Sequence, residues 1–158
     1  MKLYEMLKLS MPMWQDKTNE TCWDWCCNNI DFALEPSYES AIQGKFNPDY
    51  MPYWQEPMNA AFDPNVREIV LLKCSRAGAS ENLLLMPLRY AVANQPQPVM
   101  YASARQESTE DYFNERIIKG LKLSNQTADK LATARVKGNI CYLDNMHIVA
   151  TWNKSTSG

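Results

Sequence analysis

At 158 residues, 46% of them hydrophobic and 22% charged, the chain has enough apolar material for one domain with a buried core and too little length for two of ordinary size. A net charge of −2, with the lysines and arginines scattered, excludes a basic stripe that would hold nucleic acid by charge alone. No apolar run reaches a membrane span, Lys2, Glu5 and Lys8 break up any signal-peptide core, and the five cysteines are an odd number with three crowded at Cys22, Cys26 and Cys27. Reduced thiols, a cytoplasmic location and no membrane partner follow as expectations.

In chain order, residues 18–34 combine Trp23, Trp25, Cys26, Cys27, Ile30, Phe32, Ala33 and Leu34 and are expected to form a helix, with Thr18 or Asn19 as N-cap and Pro36 as a stop. Five prolines and glycines between 35 and 57 predict an irregular arm packed across the domain, followed by a short helix over 57–62 and a turn at Asp63-Pro64-Asn65. From residue 67 the pattern is α/β: strand 68–73, helix 81–94, strand 98–103, helix 106–121 and a short helix over 124–135. Two apolar runs, Ile140 to Leu143 and His147 to Trp152, flank Asp144-Asn145-Met146 as a hairpin. The alternation of strands and helices predicts a parallel sheet core with helices on both faces, preceded by a helical and irregular arm. The division expected is an arm over 1–47 and an α/β unit over 48–158.

The strand at 68–73 runs into Lys73-Cys74-Ser75-Arg76-Ala77-Gly78-Ala79-Ser80-Glu81, a small-residue turn that opens a helix. A phosphate-binding loop of the form GxxxxGK[ST] surrounds polyphosphate with backbone N–H groups, neutralises it with Lys and holds Mg²⁺ on Ser/Thr. Here the pattern is KxxxxGAS: Lys73 stands at the first glycine, Gly78 is kept, Ala79 replaces the lysine, and Ser80 remains a candidate Mg²⁺ ligand. An ordinary β-to-α turn capped by Ser80 accounts for the same residues, and both readings stay open on pattern alone. In the phosphate reading a loop that wraps an anion brings its two ends together, so Lys73 takes the part Ala79 cannot; Arg76 either supplies a second cation to the γ-phosphate, the favoured reading, or reaches solvent or pairs with Glu81. Glu81 falls in the first helical turn, where the helix dipole favours a carboxylate whatever its function. Tyr53, Trp54 and Gln55 place aromatics beside an amide, which serves either core packing or recognition of an adenine.

From Pro48 to the end, the order and spacing of Pro52-Tyr53-Trp54-Gln55-Glu56-Pro57-Met58-Asn59-Ala60, Asp63-Pro64, Val66-Arg67-Glu68-Ile69-Val70 and Lys73 to Glu81 resemble the ATPase region of phage terminase large subunits of the lambda-like branch. Asn94-Gln95-Pro96-Gln97-Pro98-Val99-Met100 and Tyr112-Phe113-Asn114-Glu115-Arg116 extend the likeness. The resemblance implies a P-loop NTPase fold, present in part, and a motor that binds ATP and Mg²⁺ to drive DNA packaging. In this branch the loop lysine can stand at the start of the motif. Carried over, Lys73 and Arg76 become catalytic and phosphate residues, Cys74, Ser75, Ala77, Gly78, Ala79, Ser80 and Glu81 the nucleotide loop, Ser80 the metal ligand, and Tyr53, Trp54 and Gln55 the adenine side. It also implies double-stranded viral DNA, a terminase small subunit and a portal protein as partners of the full-length protein in the host cytoplasm.

Such an ATPase needs an acidic pair at the end of a neighbouring strand, for Mg²⁺ and for the attacking water. Asp144 is the local candidate, but its position between two adjoining apolar runs marks a hairpin turn, so the hydrolytic carboxylates and the nuclease are expected outside this chain. A non-catalytic remnant or assembly module, binding a partner subunit through its aromatic arm, is the alternative. A third reading is an unrelated α/β protein whose loop binds sulfate or phosphate without motor chemistry. A zinc site could be assembled on paper from the cysteines and His147, but tandem CxxC spacing is absent and core thiols are the simpler account.

Overall fold

A computed structural model describes residues 20–153. Helix α1 (Cys22–Asn29) begins after Thr21, inside the expected range. Thr21 Oγ1 accepts from the Asp24 backbone N–H at 3.2 Å and donates to Asp24 Oδ2 at 2.7 Å, a reciprocal cap that sets the start. The two candidate caps Thr18 and Asn19 lie outside the described residues. The helix ends before Pro36 because Ile30 turns extended and its carbonyl accepts from Phe46 N at 3.0 Å, beside an antiparallel bridge between Asp31 and Lys45. The stretch from there to residue 54 is irregular as expected, with 3₁₀ turns at Phe32–Leu34, Pro48–Tyr50 and Pro52–Trp54, the last two led by prolines whose missing N–H costs nothing at a first turn. Helix α2 (Gln55–Ala60) follows, and Asn65 N donates to Asp63 Oδ1 at 2.8 Å to close the turn at 63–65.

The helix after the loop is one continuous rod of two kinds of turn, a π-helical start at Ser80–Leu85 and α3 at Met86–Asn94. Pro87 explains the wide turn. Lacking an N–H, it cannot bond the Leu83 carbonyl, and its ring would crowd that carbonyl in a regular helix. Met86 N instead reaches back to Glu81 O. The rod is buried on two sides. Leu85, Leu88 and Val92 join Phe113, Ile117, Cys141 and Ile148 under the sheet, whereas Met86 and Tyr90 join Trp25, Cys26, Trp54 and Met58 on the arm side. A helix apolar all round is what a position between two cores requires.

Strand β1 (Val99–Ser103) leads to α4 (Gln106–Tyr112), which continues as a π-turn (Phe113–Ile118) and a 3₁₀ turn (Leu121–Leu123) before α5 (Asn125–Ala132). Strands β2 (Arg135–Lys137), β3 (Ile140–Leu143) and β4 (Met146–Trp152) complete a four-stranded sheet of order β1-β4-β3-β2. The expected hairpin is present, with Leu143 opposite Met146 across Asp144-Asn145. Two expectations are corrected. The sheet is mixed and mostly antiparallel: β1 and β4 form the one parallel pair, with Val99 opposite Ile148, because two-residue turns at Gly138-Asn139 and Asp144-Asn145 force antiparallel neighbours. Its strands also bury a single face. Cys141, Leu143, Met146, Ile148 and Ala150 point into the core, while Met100, Tyr142 and His147 are exposed.

The third correction concerns 68–73, which forms no strand among the described residues. It carries no regular secondary structure and lies open, with Val70 at 84% and Leu72 at 101% relative exposure. The apolar run is there, but no neighbouring strand takes up its N–H and C=O groups, and a β-ladder needs both partners.

Candidate functional site

The loop between residues 73 and 80 holds two left-handed backbone positions, only one of them a glycine. Arg76 has φ +61 and Gly78 φ +76, both in the left-handed region. For Arg76 that conformation costs about 1–2 kcal/mol relative to an ordinary turn. At Gly78 a side chain would be strained by the positive φ and crowded as well: an added Cβ would lie 2.9 Å from Met51 Sδ and 3.1 Å from Asn82 Nδ2, so one of these side chains would have to shift. Gly78 is followed by right-handed Ala79, a left-handed to right-handed alternation at the head of the rod, the kind of backbone that can turn successive N–H groups to one side.

The loop is fastened from behind. Trp54, 3% exposed, donates its indole N–H to the Ala77 carbonyl at 3.1 Å. The Gly78 carbonyl accepts twice from Asn82, from the backbone N–H at 3.0 Å and from Nδ2 at 2.9 Å. Ala79 is buried in the arm-side core. Glu81 is occupied on the scaffold side. Its Oε1 accepts from Arg89 Nη1 at 2.5 Å, and its Oε2 from Tyr38 Oη at 2.5 Å and Arg116 Nη2 at 3.2 Å. Arg89 is 1% exposed and also donates to Gly120 O and Tyr38 Oη, each at 2.9 Å, and to Met86 Sδ at 3.2 Å. Arg116 also donates to the Glu39 carbonyl, and both guanidiniums lie over the Tyr38 ring. Burial, then the Glu81 carboxylate and its hydrogen bond, push the Tyr38 phenol well above its ordinary range against the pull of the two arginines, so it stays a neutral donor to Glu81. Burial likewise pushes the Tyr112 phenol up to about 12, reinforced by Tyr101, on which it stacks at 4.7 Å, and by Glu81.

In front, the loop is bare. Lys73, Cys74, Ser75, Arg76 and Ser80 are exposed. Lys73 Nζ folds onto the neighbouring Cys74 carbonyl at 3.3 Å, and neither Lys73 nor Arg76 has an acidic partner among the described residues. The Ser80 hydroxyl makes no hydrogen bond there either. Of the adenine-side candidates, Tyr53 is 60% exposed, Gln55 is exposed, and Trp54 is committed to the core and to Ala77. Asp144 sits in the hairpin turn, and no group of three or more metal-ligating side chains occurs among the described residues. Cys22 and Cys26 lie in the arm-side core, Cys141 under the sheet and Cys74 on the open loop. No helix of the described residues is long and apolar enough to cross a membrane.

Asn82, Arg89, Arg116 and Tyr38 are the contributors that sequence reading missed. The available signal was polarity out of place: Asn82 and Arg89 interrupt an otherwise apolar helix on faces that must be buried.

A family model described as the ATPase domain of the phage terminase large subunit gpA matches residues 40–158, which covers the loop, the rod, the sheet and the end of the arm. No curated protein and no solved structure matches the chain at a significant level. The chain belongs to the ATPase-domain family of phage terminase large subunits, a family of DNA-packaging ATPases.

Proposed function

We propose that residues 73–80 are a variant phosphate loop that binds ATP with Mg²⁺ and, in the full-length terminase, serves the motor that packages double-stranded DNA. The observation that carries this reading is the loop's two-sidedness: the polar groups behind it are paired, whereas Lys73, Arg76 and the Ser80 hydroxyl stand exposed with no acidic partner among the described residues. Cations with no counter-charge, beside a helix start and a left-handed glycine, suit a polyanion.

The donor set fits the group. The N–H groups at Ala79 and Ser80 would hold phosphate oxygens, Lys73 and Arg76 would neutralise them, and the Ser80 hydroxyl would take one position on Mg²⁺. Bound Mg²⁺ offsets the charge of the polyphosphate and orients it. Glu81 is assigned to the scaffold, because its carboxylate already accepts from three donors. Tyr53 and Gln55, both exposed, are the adenine-side residues of this reading. Binding alone is assigned to these residues, since Asp144 lies in a turn and no described strand end brings an acidic pair to the loop. Small subunit and portal are proposed partners of the whole assembly, and the host cytoplasm its place of work.

The non-catalytic alternative, expected to dock through the aromatic arm, is favoured by one observation outside the arm, the exposed apolar run at 69–72, which an assembly module could also use to meet another chain. Titration with a non-hydrolysable ATP analogue separates the two. The phosphate-loop reading expects saturable, magnesium-dependent binding that Lys73→Ala weakens by about tenfold or more, roughly the worth of a charge-assisted contact. Ala79→Lys is not needed for binding. Affinity unaltered in Lys73→Ala would rule out the role given to that lysine.

A further inference from the structure

We infer that Asn82 is a positioning residue for phosphate, acting through the Gly78–Ala79 peptide; the inference rests on the phosphate-loop reading above. A peptide unit is planar and trans, so the direction of a carbonyl fixes the direction of the following N–H. The Gly78 carbonyl is held toward the rod by two donors of the same residue, Asn82 N at 3.0 Å and Asn82 Nδ2 at 2.9 Å. The Ala79 N–H therefore points the opposite way, out of the helix start, where the phosphate of the reading above would sit.

The rest of the surroundings leaves Asn82 little freedom. It is 4% exposed, its amide also touches Met51 Sδ at 3.7 Å, and the same sulfur lies where a Gly78 side chain would go. A helix-interior asparagine is an unfavourable choice for helix formation, and a buried one needs a stated reason. A second bond to the Gly78 carbonyl is that reason. Without the side-chain bond the Gly78 carbonyl, on a residue whose backbone rotates easily, is held by the Asn82 backbone N–H alone.

The test uses the full chain and three variants, with inorganic triphosphate and a magnesium–ATP analogue as probes, each measured well below the variant's own unfolding midpoint. Asn82→Ala removes the donor. Asn82→Asp keeps the shape but presents a carboxylate that cannot donate to the carbonyl. Asn82→Ser restores a bond, because a serine hydroxyl in a helix donates to the carbonyl four residues back. The expected result is a loss of about 5- to 10-fold in affinity for both probes in the Ala and Asp variants, the worth of one hydrogen bond, and recovery to within about 2-fold in the Ser variant. A purely structural asparagine would change the unfolding midpoint and leave triphosphate affinity alone. Equal binding by wild type and Asn82→Ala, or no recovery in Asn82→Ser, overturns the inference while leaving the phosphate loop standing. If wild type binds neither probe, the phosphate-loop reading itself fails and the role of Asn82 falls with it.

Discussion

Ile69-Val70-Leu71-Leu72 and Leu83-Leu84-Leu85-Met86 are equally apolar runs on the two sides of one loop, and they meet opposite fates. Upstream, Val70 and Leu72 are 84% and 101% exposed; downstream, Leu85 and Met86 are 2% and 0% exposed. Composition cannot account for the difference. A helix satisfies its own backbone, so the downstream run needs only side chains to pack against, and two cores supply them. An extended run leaves its N–H and C=O groups pointing sideways and must borrow a neighbour. The loop thus has one shoulder set by local chemistry and one that depends on pairing, and the residues assigned to phosphate positioning, Gly78 to Asn82, stand on the first.

The sharpest blow to the packed shoulder is Arg89→Ala. Arg89 is buried, bonds Glu81, Tyr38 and the Gly120 carbonyl, and leaves a carboxylate short of its closest cation when removed. Breaking one side of such a pair costs about 3–5 kcal/mol. Arg116 keeps Glu81 from being stranded altogether, which favours the lower end of that range. Urea denaturation measures it, and a loss below about 1 kcal/mol would show that the arm and the rod are not tied through this arginine.

Gly78→Ala comes next. Left-handed backbone costs an L-residue about 1–2 kcal/mol. The methyl must also displace Met51 Sδ, 2.9 Å away, or the Asn82 amide. Stability should therefore fall by about 1–3 kcal/mol while triphosphate binding is lost beyond what that destabilisation explains. Unchanged affinity in a folded Gly78→Ala variant would place the anion elsewhere.

How far the sequence can be read follows the same division. The hairpin at 140–152, β1, the turn at 63–65 and the helix after the loop are legible, because periodicity, two-residue turns and helix stops are local signals. The parallel core is not. It rests on 68–73 joining a sheet, which local pattern can suggest but only a partner can complete, and on helices covering a face that here stays open. In the site, Gly78 and Ser80 can be picked out by motif spacing. The Glu81 hub cannot, since Tyr38 and Arg116 come from segments separated from Glu81 by 43 and 35 residues. Pro87, which accounts for the π-turn, stands in plain view, but its effect on the preceding turn shows only when the hydrogen bonds are followed.

The smallest effect is expected upstream, and its smallness is what gives it value. In Val70→Thr combined with Leu72→Thr, both positions carry a residue suited to extended backbone while apolar surface is removed where nothing packs. Exposed substitutions of this kind stay within about 0.5 kcal/mol, so urea denaturation of the double variant should overlay wild type. The same change in the interior, at Leu85 and Val92, would cost several kcal/mol, because those side chains fill the core under the sheet. A loss above about 1 kcal/mol in the upstream double variant, particularly one that grows with protein concentration, would mean that 66–72 is already paired in solution, by another copy of the chain or by its own remaining residues. The two shoulders of the loop would then be alike in stability, and the upstream run would be a strand whose partner merely lies outside the described residues.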